Sequence, residues 1–144
     1  MASLEPTKGN DTRGTVTFAQ RGDRVRVTAQ LSGLRPGAEH GFHIHEKGDC
    51  SSGDGMSAGG HFNPAGKPHG AQSAPHHAGD MPSIRADSYG NANANFELAE
   101  VSIGSGAADI VGKGLIVHAD PDDYKTQPTG NAGARLACGV IELG

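Results

Sequence analysis

The sequence predicts an all-β domain, a sandwich or barrel of short strands carrying two long functional loops. Three observations carry that prediction. Alternation of apolar and polar side chains at period 2 recurs in about seven short runs bounded by turn residues, the pattern of such folds. No stretch holds a helical period for more than a turn or two. Glycine (23 residues) and proline (8) are frequent among the 144 residues but follow no repeat, which marks many turns.

The elements follow in order. Residues 13–20 (RGTVTFAQ) set Val16 and Phe18 on one face and Thr15 and Thr17 on the other. Gly22-Asp23 signals a turn, and residues 24–31 (RVRVTAQL) alternate again with Val25, Val27, Ala29 and Leu31 inward, completing an antiparallel hairpin. A loop around Pro36-Gly37 leads to a third strand, residues 38–46 (AEHGFHIHE). There Phe42 and Ile44 face the core, while His43 and His45 project together from the opposite face. From 50 to 82 neither period is legible. Residues 83–88 (SIRADS) form a short strand, 89–95 (YGNANAN) read as a loop, and 96–101 (FELAEV) alternate. After a loop at 104–109, residues 110–118 (IVGKGLIVH) form a largely buried strand ending in His118. Residues 120–135 make a second long polar loop, and 136–143 (LACGVIEL) close the chain as a strand.

Length and composition bound the rest. A chain of 144 residues forms a single domain over 1–144 with one moderate core, built mostly from Val, Ile and Leu because only 4% of residues are aromatic and Trp is absent. A formal charge of −4 and a pI near 6.0 leave no footprint for nucleic acid or an anionic membrane surface. No apolar run approaches the length that spans a bilayer. Cys50 and Cys138 would close a loop of about ninety residues if paired; spacing alone favours neither a disulfide nor two reduced thiols. No signal peptide is legible, and Met1-Ala2-Ser3 reads as a start that replaces a removed leader.

Chemistry concentrates between positions 43 and 80. This stretch holds His43, His45, His61, His69, His76, His77 and Asp80, and thus six of the eight histidines. Glycine, proline and serine around them cannot build a core, and so long a structureless segment in a compact domain is functional or held by something else. Imidazole and carboxylate ligands converging on metal ions would hold it. An isolated His-x-His is more often two polar rings on a wet face, but here a histidine-rich loop follows it and His118 stands at a distant strand end.

The motifs GFHIHEKGDC (41–50), GGHFNP (59–64), KPHG (67–70), HAGD (77–80) and GNAGARLACGVI (130–141) resemble those of the copper,zinc superoxide dismutase family, in order, over about residues 14–141. The segment DPDDYKTQPTGNAG is more similar to the bacterial, secreted branch, which implies a periplasmic or secreted protein. The resemblance implies a Greek-key β-sandwich, or flattened barrel, of immunoglobulin-like type. It implies copper held by His43, His45, His61 and His118, and zinc held by His61, His69, His77 and Asp80, with His61 bridging the two. The implied reaction converts superoxide to oxygen and hydrogen peroxide through one-electron cycling of that copper; zinc, without redox chemistry, is structural. Asp122 then matches an aspartate that links a copper histidine to a zinc histidine, and Arg135 the arginine that guides and binds the anion. Lys67 and Lys125 are further loop cations that could add to that attraction. Cys50 and Cys138 both fall within family motifs, so the resemblance implies their disulfide. It leaves open a homodimer.

Three stretches depart from the family pattern. His40 and His76 match no ligand; the HAGD motif favours His77 over its neighbour, and His40 shares the parity of Phe42 and Ile44, which suits packing. Only residues 2–6 remain for an amino-terminal strand before a turn-rich stretch at 7–13, which leaves that strand's pairing open.

Overall fold

The structure, a computed structural model, describes residues 1–143. Seven strands form one antiparallel, curled sheet in the order β5-β8-β9-β1-β2-β3-β7. They are β1 (Ala2–Pro6), β2 (Arg13–Arg21), β3 (Arg24–Ser32), β5 (Phe42–His45), β7 (Ala92–Leu98), β8 (Gly114–His118) and β9 (Arg135–Val140). A two-stranded ribbon pairs β4 (Glu39–His40) with β6 (Ile84–Arg85). The chain crosses from the β3 side of the sheet to the β5 side and back, then crosses again between β7 and β8. The two long loops are the connection from β5 to β6, which is part of a crossing, and the connection from β8 to its neighbour β9.

The short first strand is the seam of this sheet. Ala2, Ser3 and Leu4 pair with β2, whereas Glu5 and Pro6 pair with β9 at Cys138 and Ala137. Its pairing, open in the sequence, is thus made on both sides. The β2–β3 hairpin keeps full register from Arg13↔Ser32 to Arg21↔Arg24, with Val16, Phe18, Val25, Val27, Ala29 and Leu31 buried as the alternation requires. They join Phe42, Ile44, Leu115 and Val117 in one apolar core.

Several boundaries differ from the sequence reading: the strand read over 83–88 is only Ile84–Arg85, that over 96–101 ends at Leu98, and that over 136–143 runs from Arg135 to Val140. The YGNANAN stretch is only partly loop: Ala92 to Asn95 belong to β7 and pair with Leu31 to Thr28 of β3. Alternating alanines face inward and asparagines outward, so the fit to a neighbouring strand overrides weak intrinsic preference. The strand expected over 110–118 begins only at Gly114. The strand over 38–46 is broken at Gly41, whose N–H donates to Asp120 O (2.8 Å) and whose missing Cβ would lie 2.8 Å from Ala132 Cβ. The second long loop therefore presses directly against the strand that bears His43 and His45.

Candidate metal centre

Strand β5 is buried on both faces, with Phe42 and Ile44 in the core and His43 and His45 opposite them. It is also an edge strand, and an exposed edge invites stray pairing. The first long loop covers it. Ile44 N–H donates to Gly79 O (2.9 Å), Phe62 N–H to Ile44 O (2.8 Å) and Glu46 N–H to Gly60 O (2.9 Å). Isolated bridges form between His45 and His61 and between His43 and Asp80. Backbone pairing thus brings His61 and Asp80 beside the two strand histidines, and the β5–β8 register brings His118 to the same end.

Two sets of side chains converge. His43, His45, His61 and His118 each offer a ligand atom within 4.8 Å of every other, all from buried residues. His43, His61, His69 and Asp80 form a second such group. His77 stands against it, with Nδ1 3.2 Å from His61 Nδ1 and 3.5 Å from Asp80 Oδ1. His76 turns away, its Nδ1 on Ala74 O (2.7 Å) and its Nε2 3.4 Å from Glu100, which separates the adjacent histidines as the motif did.

The two nitrogens of each ring divide their work. His45 Nδ1–H donates to Gly59 O (2.8 Å) and His118 Nδ1–H to Gly133 O (3.3 Å). His43 Nε2–H donates to Asp122 Oδ2 (2.8 Å), and His69 Nε2–H to Asp122 Oδ1 (2.7 Å). A nitrogen that faces an oxygen carries the proton, so the opposite nitrogen of a neutral ring bears a lone pair. Three of those opposite atoms, His43 Nδ1, His45 Nε2 and His118 Nε2, are buried without a hydrogen bond among the described residues, as are His61 Nε2 and His40 Nε2, whereas His69 Nδ1 faces Asp80. On its other side His61 Nδ1 lies 2.9 Å from Asp80 Oδ1, and His69 Nδ1 is 2.8 Å from the same oxygen. Asp80 Oδ2 is fixed by the N–H groups of His77 (2.8 Å) and Gly70 (3.2 Å).

Burial sets the charge states of the first group. Desolvation lowers His43 to about 4 despite its bond to Asp122, and holds His45 and His118 well below the ordinary histidine value. The second group is different. Burial opposes charge on His69 too, but Asp122 and Asp80 outweigh it and lift its pKa to about 9. Both carboxylates lie well below the usual range, because the histidines at each outweigh their desolvation. His43, His45 and His118 of the first cluster are thus held neutral, and the second cluster carries acidic partners.

Arg135, first residue of β9, is half-buried and donates from Nη1 to Gly55 O (2.8 Å). Its positive charge contributes to lowering both His45 and His118, so it stands beside the first cluster. Cys50 and Cys138 are joined in a disulfide that ties the start of the first loop to β9. Lys67 is engaged with Glu100 at 3.3 Å, which reduces its use as a free cation. His40 is buried as its parity suggested, with Nδ1–H on His118 O (2.9 Å). Several supports were not legible from the sequence. Tyr124 N–H donates to Asp122 Oδ1 (2.7 Å), Asp122 N–H to Ser83 Oγ (3.2 Å) and Ser83 N–H to the Tyr124 hydroxyl (2.8 Å). The carbonyls of Gly59 and Gly133 leave no mark in residue type at all; an Asp with its N–H partner two residues on is a turn signal that could have pointed from Asp122, already singled out, to Tyr124.

The family model for copper/zinc superoxide dismutase (SODC) matches residues 12–141. The chain belongs to this family. Superoxide dismutase [Cu-Zn] 2 of Brassica juncea is 44% identical over 151 residues, covering 99% of this chain and 96% of the relative. Among solved structures, a double mutant of a SOD-like protein from Bacillus subtilis aligns with a TM-score of 0.89 at 37% identity, covering 99% of this chain and 96% of that one. The clock protein EA4 aligns with a TM-score of 0.86 at 39% identity, covering 96% and 90%. As a copper/zinc superoxide dismutase the chain is an oxidoreductase whose metals are copper and zinc. The family acts on superoxide. Among the described residues no helix is long and apolar enough to cross a membrane.

Proposed function

We propose that this chain disproportionates superoxide to oxygen and hydrogen peroxide at a copper held by His43 Nδ1 and by Nε2 of His45, His61 and His118. Zinc would be held beside it by His61, His69, His77 and Asp80, with His61 a ligand common to both sets. The observation that carries this reading is the division of labour within the rings: four buried nitrogens on the expected copper ligands, His43 Nδ1 and Nε2 of His45, His61 and His118, have no hydrogen-bond partner among the described residues, and each lies across its ring from an atom that faces another protein group. Leaving a buried acceptor unmade costs about 1–3 kcal/mol, and a metal ion is the partner that suits several converging imidazoles. Four nitrogens suit Cu(II), and three imidazoles with one carboxylate suit a closed zinc site. His43 Nδ1 is already assigned to copper, and His77 Nδ1 lies 3.2 Å from His61 Nδ1 and 3.5 Å from Asp80 Oδ1, which supports His77 as the fourth zinc ligand. When bound, copper supplies the one-electron redox chemistry, and zinc supplies none.

The remaining roles belong to the chain. Arg135, held by Gly55 O, presents a fixed positive charge beside the first cluster and binds the anion there; with a net charge of −4 the attraction has to be local. Asp122 fixes the tautomer and orientation of His43 and His69 together. His61 Nε2 would carry a proton in the half of the cycle in which that atom does not hold copper, and would give it up in the other half. The whole of 1–144 acts as one such domain, and the disulfide supports a periplasmic or secreted location, since disulfides persist in oxidising compartments.

The test is superoxide decay catalysed by the copper- and zinc-loaded protein across a range of salt concentrations. Near-diffusional decay that slows as salt rises is expected. Fast decay without salt dependence would keep the enzyme and remove Arg135 as the guide. No decay with both metals bound would overturn the reading and leave a metal-carrying module.

A further inference from the structure

The two long loops meet at His69, and they meet twice. Its ring is held by Asp122, as described. Its main chain is held by Gln127, whose carboxamide takes both polar groups of one peptide residue: His69 N–H donates to Gln127 Oε1 (2.7 Å), and Gln127 Nε2 donates to His69 O (2.8 Å). The second Nε2 hydrogen goes to Lys125 O (3.1 Å), which anchors the side chain to its own loop. This reciprocal pair is what a neighbouring antiparallel strand would give, supplied here by one side chain. The segment around His69 lacks any strand partner, since residues 67–73 lie outside every ladder of the sheet. Gln127 is exposed while His69 is buried, so the amide closes the pair from the solvent side.

We propose that Gln127 is a positioning residue for zinc: it fixes the backbone of His69 so that, with the ring already pinned at Nε2 by Asp122, Nδ1 faces Asp80 and His61. This inference rests on the zinc site of the proposed function. Two points of attachment define the ring more narrowly than one. Asp122 alone sets where Nε2 lies, yet the ring can still swing about that bond if the main chain moves. With Gln127 in place the main chain cannot move without breaking two further hydrogen bonds. The consequence is kinetic retention of zinc, since a ligand that cannot swing away cannot begin dissociation.

The chemistry of the amide makes the test specific. Gln127→Ala removes both bonds. Gln127→Glu keeps the size and the acceptor for His69 N–H but sets a carboxylate against the carbonyls of His69 and Lys125, with no proton to donate. Zinc release from the copper- and zinc-loaded protein is followed with a chromogenic chelator, well below the unfolding temperature. The Co(II)-substituted zinc site gives a ligand-field spectrum as a second readout. Release about 10–100-fold faster than wild type is expected for both variants, the range typical of lost outer hydrogen bonds to metal ligands, together with a changed Co(II) spectrum. A merely structural contact would lower the unfolding midpoint without altering either readout. Release within about twofold of wild type in both variants would overturn the proposal; wild-type release in Gln127→Glu alone would overturn the two-sided clasp. Should Gln127→Ala not fold, the isosteric Glu variant decides. Wild-type protein that takes up no zinc would overturn the proposed function itself, which distinguishes the two failures.

Discussion

Gly130 offers a sharp test of how the site is held, through the substitution Gly130→Ala. Its φ is +72°, and a Cβ there would overlap Asp122 Oδ1 and lie 2.5 Å from His69 Nε2. The glycine cannot retreat, because its N–H donates to Thr126 O (2.7 Å) and its carbonyl accepts from Asp123 N–H (2.9 Å). Asp122 has to give way, which breaks its bonds to His43 and His69 together. Two costs follow. Placing alanine in the left-handed region costs about 1–2 kcal/mol, and breaking a buried, charge-assisted network by displacing one partner costs about 3–5 kcal/mol. The metal-free protein should therefore lose roughly 4–7 kcal/mol. Gly104→Ala is the internal control, since Gly104 has φ +90° with nothing within 4 Å of the new methyl, and only the backbone cost applies. Urea unfolding of the two metal-free variants measures the difference, which at an m value of about 1–3 kcal/mol/M amounts to a midpoint gap of at least about 1 M. If Gly130→Ala unfolds within about 1 kcal/mol of Gly104→Ala, the close packing of Gly130 on the Asp122 link does not hold the site, and the reasoning fails.

His118→Ala should abolish superoxide decay while the protein retains zinc, because His118 lies in the first cluster and contributes nothing to the second. Metal analysis beside an activity assay checks it, and retained activity would mean that copper is not held there. Replacing both Cys50 and Cys138 by serine opens a constraint with a sequence separation of 88 and should cost up to about 4–5 kcal/mol in denaturant unfolding; an unchanged midpoint would refute it. Metal-free stability should peak near pH 6–7. The depressed pKa of His43, about 4, contributes stability present above the unfolded value of 6.5 and lost as pH falls toward 4, and His45 and His118 act in the same direction. The raised pKa of His69, about 9, contributes stability that is full below 6.5 and lost as pH rises through 9. Urea midpoints across that range measure the curve, and a stability that keeps rising to pH 9 would contradict the assignment to His69.

Much of this was legible because strands and ligand spacing are both local signals. Period 2 alone placed β2 and β3 and their inward faces, and the His-x-His of β5 needed only the parity of a strand to set two imidazoles on one face. The loop at 50–82 was legible as something held by metal because nothing else in it could make a core. What stayed hidden depends on contacts between distant segments. Ala92 to Asn95 read as loop since their strand character is conferred by β3, not by asparagine and alanine themselves. The break at Gly41 is imposed by Ala132, some ninety residues away in sequence. Gln127 lies in a segment that bears on the branch of the family but not on its own role, which exists only because His69 arrives within reach of its amide.

The arrangement also accounts for why a protein would place so many rings at the expense of its own stability. A histidine held at one nitrogen by a carbonyl or carboxylate is oriented before any metal arrives, and the free nitrogen is left unsatisfied in a buried place. The protein could satisfy these atoms with serine or asparagine side chains, yet none is offered among the described residues. Orientation in advance lowers the reorganisation needed on binding, and the unmade hydrogen bonds raise the free energy of the metal-free state, so both effects tighten metal binding. Asp122 joins the two halves of this design. With one oxygen on His43 and the other on His69, it makes the geometry of one cluster depend on the other, and it is fixed by a loop that begins directly after His118. A shift of the 119–134 loop therefore displaces a ring of each cluster at once, which is why the glycine packed against Asp122 and the glutamine clasping His69 bear on both clusters from outside either.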